Sequence, residues 1–130
     1  MTTDGLPAPV AGFIAAVNDR NMQAAGDFLT DDVTYHLIVP YPPVTGRVAV
    51  LDALGKSLME ADRVLWEVLA WSATGDLVFV ERIDRFWFAD REAAIECTGA
   101  IELREGRIAV VRDYADLATW RARKEAALAP

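Results

Sequence analysis

The chain has 130 residues, 53% apolar and 25% charged, with a net charge of −7, one cysteine and one histidine. That composition is globular, and its acidity argues against nucleic acid or an anionic membrane as partner, since both need a basic footprint. A single cysteine excludes an intrachain disulfide and a thiolate metal cluster. A single histidine excludes a zinc site built on several imidazoles, and no apolar run nears the ~18 residues of a membrane span.

The start, MTTDGLPAPV, has no basic segment leading into an apolar core, so a cytoplasmic protein is expected. Val10, Phe13, Ile14 and Val17 fall at helical spacing and predict an amphipathic helix over Pro7–Asn18. A shorter helix follows with Ala24, Ala25, Phe28 and Leu29 inward, ended by Thr30–Asp32. The β-branched, apolar Val33–Val39 predicts a strand, and Pro40–Gly46 a loop stiffened by three prolines. Arg47–Ala61 predicts a third helix with Val50, Leu51, Leu54 and Leu58 along one side.

The second half is β. Arg63–Trp71 sets Val64, Trp66 and Val68 on one face, and Thr74-Gly75-Asp76 turns the chain into a strand over Leu77–Phe88. Ala93–Leu103 and Ile108–Ala115 are further strands joined at Arg104–Gly106, and Asp116–Leu128 is a charged helix or tail. Cys97, in an apolar stretch, is expected as a small buried hydrophobe. No linker or repeat divides residues 1–130. Helices followed by consecutive strands predict one α+β domain, in which a curved antiparallel or mixed sheet wraps the N-terminal helices into a cone with one open mouth. A mostly apolar cavity with few polar groups at its floor is the expected site.

The strand Leu77–Phe88 holds the most informative pattern. One face reads Val78, Val80, Arg82, Asp84, Phe86, Phe88, so an arginine and an aspartate share an apolar face. The last strand adds Asp113 on the face of Ala109, Val111 and Ala115. If both faces line one cavity, the guanidinium stands between two carboxylates, and its rigid fork of five donors suits that bridge. Two acids sharing one proton would supply an acid and a base without metal, nucleophile or cofactor. Taken alone, the same residues also fit a structural ion pair or a solvated face. Val80 and Phe86, flanking the pair, are candidate ligand contacts. Trp66, Trp71, Phe86, Trp87, Phe88 and Leu103 are expected in the core or a dimer interface, with a subset lining the pocket, and Arg121, Arg123, Lys124 and Glu125 on a solvated helix face.

Val80-Glu81-Arg82-Ile83-Asp84, and Ile108 to Leu117 with its central Arg112-Asp113-Tyr114, resemble the two signature segments of the limonene-epoxide hydrolases. The turn Arg104–Ile108 fits, as do Leu29–Tyr35 and Pro42–Arg47. The resemblance implies a nuclear-transport-factor-two-like, SnoaL-like fold, usually a homodimer, that adds water to a small hydrophobic epoxide to give a vicinal diol, with no cofactor. It also implies Asp113 as the base toward water, Asp84 as the acid toward the departing oxygen, and Arg82 as their bridge. In that family a tyrosine and an asparagine two residues apart hold the water. Tyr35 matches the tyrosine. The asparagine position falls on Leu37, or on His36 if the register shifts by one. Rival readings are an isomerase of the ketosteroid-isomerase type, an epoxide-opening cyclase using a substrate hydroxyl, and a non-catalytic carrier of a small ligand.

Overall fold

A computed structural model describes residues 3–130; Met1 and Thr2, part of the start read above and of the 1–130 domain, lie outside the described residues. Helix α1 (Ala8–Asn18) follows Pro7 at its N-cap and buries Val10, Phe13, Ile14, Ala16 and Val17. Gly12 is required on this helix because a β-carbon there would sit 2.3 Å from the Phe28 ring. Helix α2 (Met22–Gly26) is capped by Asn21, whose side chain accepts from Ala24 N at 3.0 Å.

Strand β1 (Leu29–His36) starts four residues earlier than its pattern predicts and ends sooner. Thr30–Asp32 belongs to this strand and does not end a helix. Its acids misled the pattern because Asp31 and Asp32 project to solvent, where they pair with Arg47 and Arg104. The proline loop also hides a two-residue strand, β2 (Val44–Thr45), paired to β1. Helix α3 (Arg47–Met59) buries Val50, Leu54 and Leu58, the stripe expected from its spacing.

Four long strands follow: β3 (Arg63–Thr74), β4 (Leu77–Phe88), β5 (Arg91–Arg104) and β6 (Arg107–Tyr114). Helix α4 (Leu117–Leu128) closes the chain, with the Asp116 side chain accepting from Ala118 N. The charged tail is thus an ordered helix, and Arg123 and Lys124 are paired with Glu96 and Glu60.

The strands form one open mixed sheet in the order β2-β1-β6-β5-β4-β3. Every neighbouring pair is antiparallel except β1 and β6, which run parallel. Along β4 burial alternates, with Val78, Val80, Arg82, Asp84, Phe86 and Phe88 inward. The inner face packs on α1 and α3 around Val10, Phe13, Val17, Leu54 and Leu58. Each such side chain contributes about 1.5–3 kcal/mol by leaving water. Beyond Arg82 the β3–β4 register shifts between Val68 and Ala70, a bulge that increases local twist. No helix among the described residues is long and apolar enough to cross a membrane.

Candidate active site

Strand alternation and sheet order bring the charged residues together. Arg82 and Asp84 point inward from β4, Asp113 from β6, and Tyr35 from β1. Arg82 Nε donates to Asp84 Oδ1 at 2.7 Å and Nη2 to Asp84 Oδ2 at 3.2 Å. The same fork reaches Asp113, Nη2 to Oδ2 at 2.8 Å and Nη1 to Oδ1 at 3.2 Å. Tyr35 Oη donates to Asp113 Oδ2 at 3.1 Å. All four residues are buried, Arg82 to 2% exposure.

Strand β5 separates the two acids, and its residue opposite Asp113 is Gly99. A β-carbon at that position would lie 2.9 Å from both Arg82 Nη1 and Asp113 Oδ1. On the other side, across from Asp84 on β3, stands Trp66, whose ring lies 4.0 Å from Arg82 Cζ. Among the described residues, Trp66 Nε1 is the buried side-chain nitrogen or oxygen with no hydrogen-bond partner. Leaving such a group unpaired costs about 1–3 kcal/mol.

The two acids and Tyr35 face a cavity of about 150 Å³. In volume it compares with the ~150 Å³ apolar cavity known to hold benzene. Its walls are Leu54 and Leu58 of α3, Trp66, Phe86, Ile95 and Trp120 of α4, with Leu37, Ile38 and Ser57 also lining it. Phe86 and Trp120 pack in a tilted arrangement, with ring centroids 4.9 Å apart and an interplanar angle of 50°. Arg82 does not line this space; it sits behind the carboxylates. Leu37 lines it beside Tyr35, whereas His36 occupies the opposite face of β1, opposite Arg112. Val80 is fully buried in the core, two residues before Arg82, and does not reach the cavity. Trp120 and Ile95 were not signalled by any motif; a lone tryptophan in a charged helix was the clue available for the first.

Electrostatics separates the groups. Burial pushes the Asp84 carboxyl up from the usual carboxylate range, against the pull of Arg82. Burial also pulls on the Arg82 guanidinium, but Asp113 and Asp84 outweigh it and hold the cation firmly charged. Burial drives the Tyr35 hydroxyl well up, so it stays a neutral donor and acceptor. Cys97, opposite Arg82 on β5, is raised by burial too and remains a thiol. Among the described residues no group of three or more His, Cys, Asp or Glu is placed to hold a metal ion. The arrangement can therefore hold a proton on Asp84 beside Asp113, with both carboxyls facing the cavity.

Residues 7–123 match a family model described as the limonene-1,2-epoxide hydrolase catalytic domain. Solved structures share the fold. A hypothetical protein from Catenulispora acidiphila with a ketosteroid isomerase-like fold has a TM-score of 0.79 at 21% identity, covering 90% of this chain and 92% of that one. A limonene-epoxide-hydrolase-like epoxide hydrolase of M. tuberculosis has a TM-score of 0.76 at 24% identity, covering 94% and 90%. A candidate polyketide cyclase of Xanthomonas campestris has a TM-score of 0.77 at 21% identity, covering 88% and 93%.

Proposed function

The chain belongs to the limonene-1,2-epoxide hydrolase family, and on that basis we propose that it opens a small hydrophobic epoxide to a vicinal diol in one acid–base step. The observation that carries this reading is the pair of buried carboxylates, bridged by Arg82 and facing one apolar cavity.

A water between Asp113 and Tyr35 gives one proton to the Asp113 carboxylate and points its second at Tyr35 Oη. Its lone pair is then free to attack. As the new carbon–oxygen bond forms, the strained carbon–oxygen bond of the epoxide breaks and Asp84 delivers its proton to the departing oxygen. An alkoxide released into apolar surroundings would be unsolvated, so attack and protonation are coupled. Each well-placed proton transfer is worth about 10²–10⁴ in rate. The product is the diol. Asp113 is left protonated and Asp84 ionised, and one proton passed from Asp113 to Asp84 restores the start.

Leu37 supports a second reading. It lines the cavity where the family places a water-holding amide, so the water has two anchors instead of three. A substrate hydroxyl could take its place against Asp113, making the protein an epoxide-opening cyclase. Incubation with a panel of apolar epoxides in isotopically labelled water separates the two. Labelled diol supports hydrolysis, unlabelled cyclic ether supports the second reading, and neither product from any epoxide rejects both. The same reading takes the protein as a homodimer joined through the outer face of the sheet, where Leu69, Phe79 and Tyr114 are exposed. Sedimentation at micromolar concentration tests it.

A further inference from the structure

During the proposed reaction negative charge moves from Asp113 to Asp84 while the cation between them stays +1. A guanidinium held only by those carboxylates would follow the charge and lose its bond to the other acid. Two features bear on this. The Trp66 ring covers the guanidinium at 4.0 Å, and an aromatic face attracts a cation without carrying a charge that changes during turnover. The backbone at Gly99, free of a β-carbon, leaves the space that Arg82 Nη1 and Asp113 Oδ1 occupy. Gly99 has no left-handed backbone to explain it, so clearance is its role. Trp66 carries an unpaired buried N–H, a cost that leucine or phenylalanine on the same apolar face would avoid.

We propose that Trp66 and Gly99 are positioning residues: they form a slot that fixes the Arg82 guanidinium midway between Asp84 and Asp113 throughout turnover. Trp66 supplies an unbiased attraction from β3, and Gly99 supplies the room on β5. This rests on the epoxide reading for its kinetic consequence, but not for the slot itself.

The test uses Trp66→Phe, Trp66→Leu and Gly99→Ala in the full chain, with two readouts. The first is the Arg82 Nε–H resonance in a proton–nitrogen NMR spectrum, which needs no substrate. It is expected to be ring-shifted and slowly exchanging in the wild type, partly so in Trp66→Phe, and to move and exchange faster in Trp66→Leu and Gly99→Ala. The second is kcat against KM on an epoxide the wild type opens. Misplacement of the guanidinium by about 1 Å should lower kcat by as much as about a hundredfold for Trp66→Leu, with Trp66→Phe in between. The slot is overturned if the Arg82 Nε–H of folded Trp66→Leu exchanges as slowly as in the wild type, or if kcat stays within about twofold while only KM rises. If Trp66→Leu does not fold, the same criteria applied to Trp66→Phe and Gly99→Ala decide. If the wild type opens no epoxide, the hydrolase reading fails and the exchange rate of the Arg82 Nε–H alone decides the slot.

Discussion

Replacing Arg82 with methionine removes the cation and keeps most of the side-chain length. Arg82 is 2% exposed and donates four hydrogen bonds to two carboxylates. Its loss leaves Asp84 unpaired and Asp113 with only Tyr35. Breaking a buried ion pair by removing one partner costs about 3–5 kcal/mol. At about 2.1 cal/mol/K per residue, 130 residues give an unfolding entropy near 0.27 kcal/mol/K, so Tm should fall by about 11–18 °C. The deficit depends on pH. Without the cation, Asp84 holds its proton in the folded state at pH values where the unfolded chain, with carboxyl pKa about 3.9, has released it. Stability of the variant therefore declines as pH rises through about 4 to 7, and its gap from the wild type widens. Urea unfolding of both proteins across that range measures the gap. Adding Asp84→Asn and Asp113→Asn to Arg82→Met should recover at least about half of the loss, because no buried charge is then orphaned. A gap that stays flat with pH, or a triple variant no more stable than the single one, would refute the reasoning.

The site also predicts its own chemistry. Asp84→Asn and Asp113→Asn should each lower kcat by about 10²–10⁴, and the double variant should fall little below the worse single one, since acid and base act as a unit; activity within about tenfold of wild type in both singles would leave the pair a structural role. Burial raises Asp84, with Arg82 opposing, so kcat should drop on the alkaline side as this acid loses its proton. Its stabilising contribution is complete below the unfolded carboxyl pKa of about 3.9 and is lost as pH rises through the higher folded value, a dependence that unfolding experiments on Asp84→Asn should show removed. Leu37→Asn should raise the rate of diol formation by about two- to tenfold, the worth of one added neutral hydrogen bond, as measured by initial rates; a slower variant would speak against a water beside Tyr35.

Much of the candidate site was legible in the sequence because strands expose their geometry. Alternation along Leu77–Phe88 is enough to put Arg82 and Asp84 on one face, and both ends of that strand match the observed ones. Asp113 follows by the same rule. The first half was less legible. Thr30-Asp31-Asp32 looks like a helix end, yet it forms the outer part of β1, where the register against β6 shifts and charges face solvent. Two-residue β2 is too short for any periodicity. The choice between His36 and Leu37 needed the strand's phase, since one residue of register moves a side chain to the other face. Trp66 over Arg82 and Gly99 beside it lay out of reach for another reason. Both contacts cross between strands, and local pattern carries no information on cross-strand register.

Parallel pairing of β1 with β6 joins the start of the sheet to its end, and Tyr35 meets Asp113 across 78 positions of chain. During synthesis the tyrosine leaves the ribosome long before its partner exists. Loop closure over that span must precede any reward from the contact. Until the final hairpin docks, Arg82 and Asp84 have no completed floor to sit in, so a partly made chain holds wet, separated charges and no reaction centre. Assembly of the buried charged cluster and completion of folding are, in this topology, the same event.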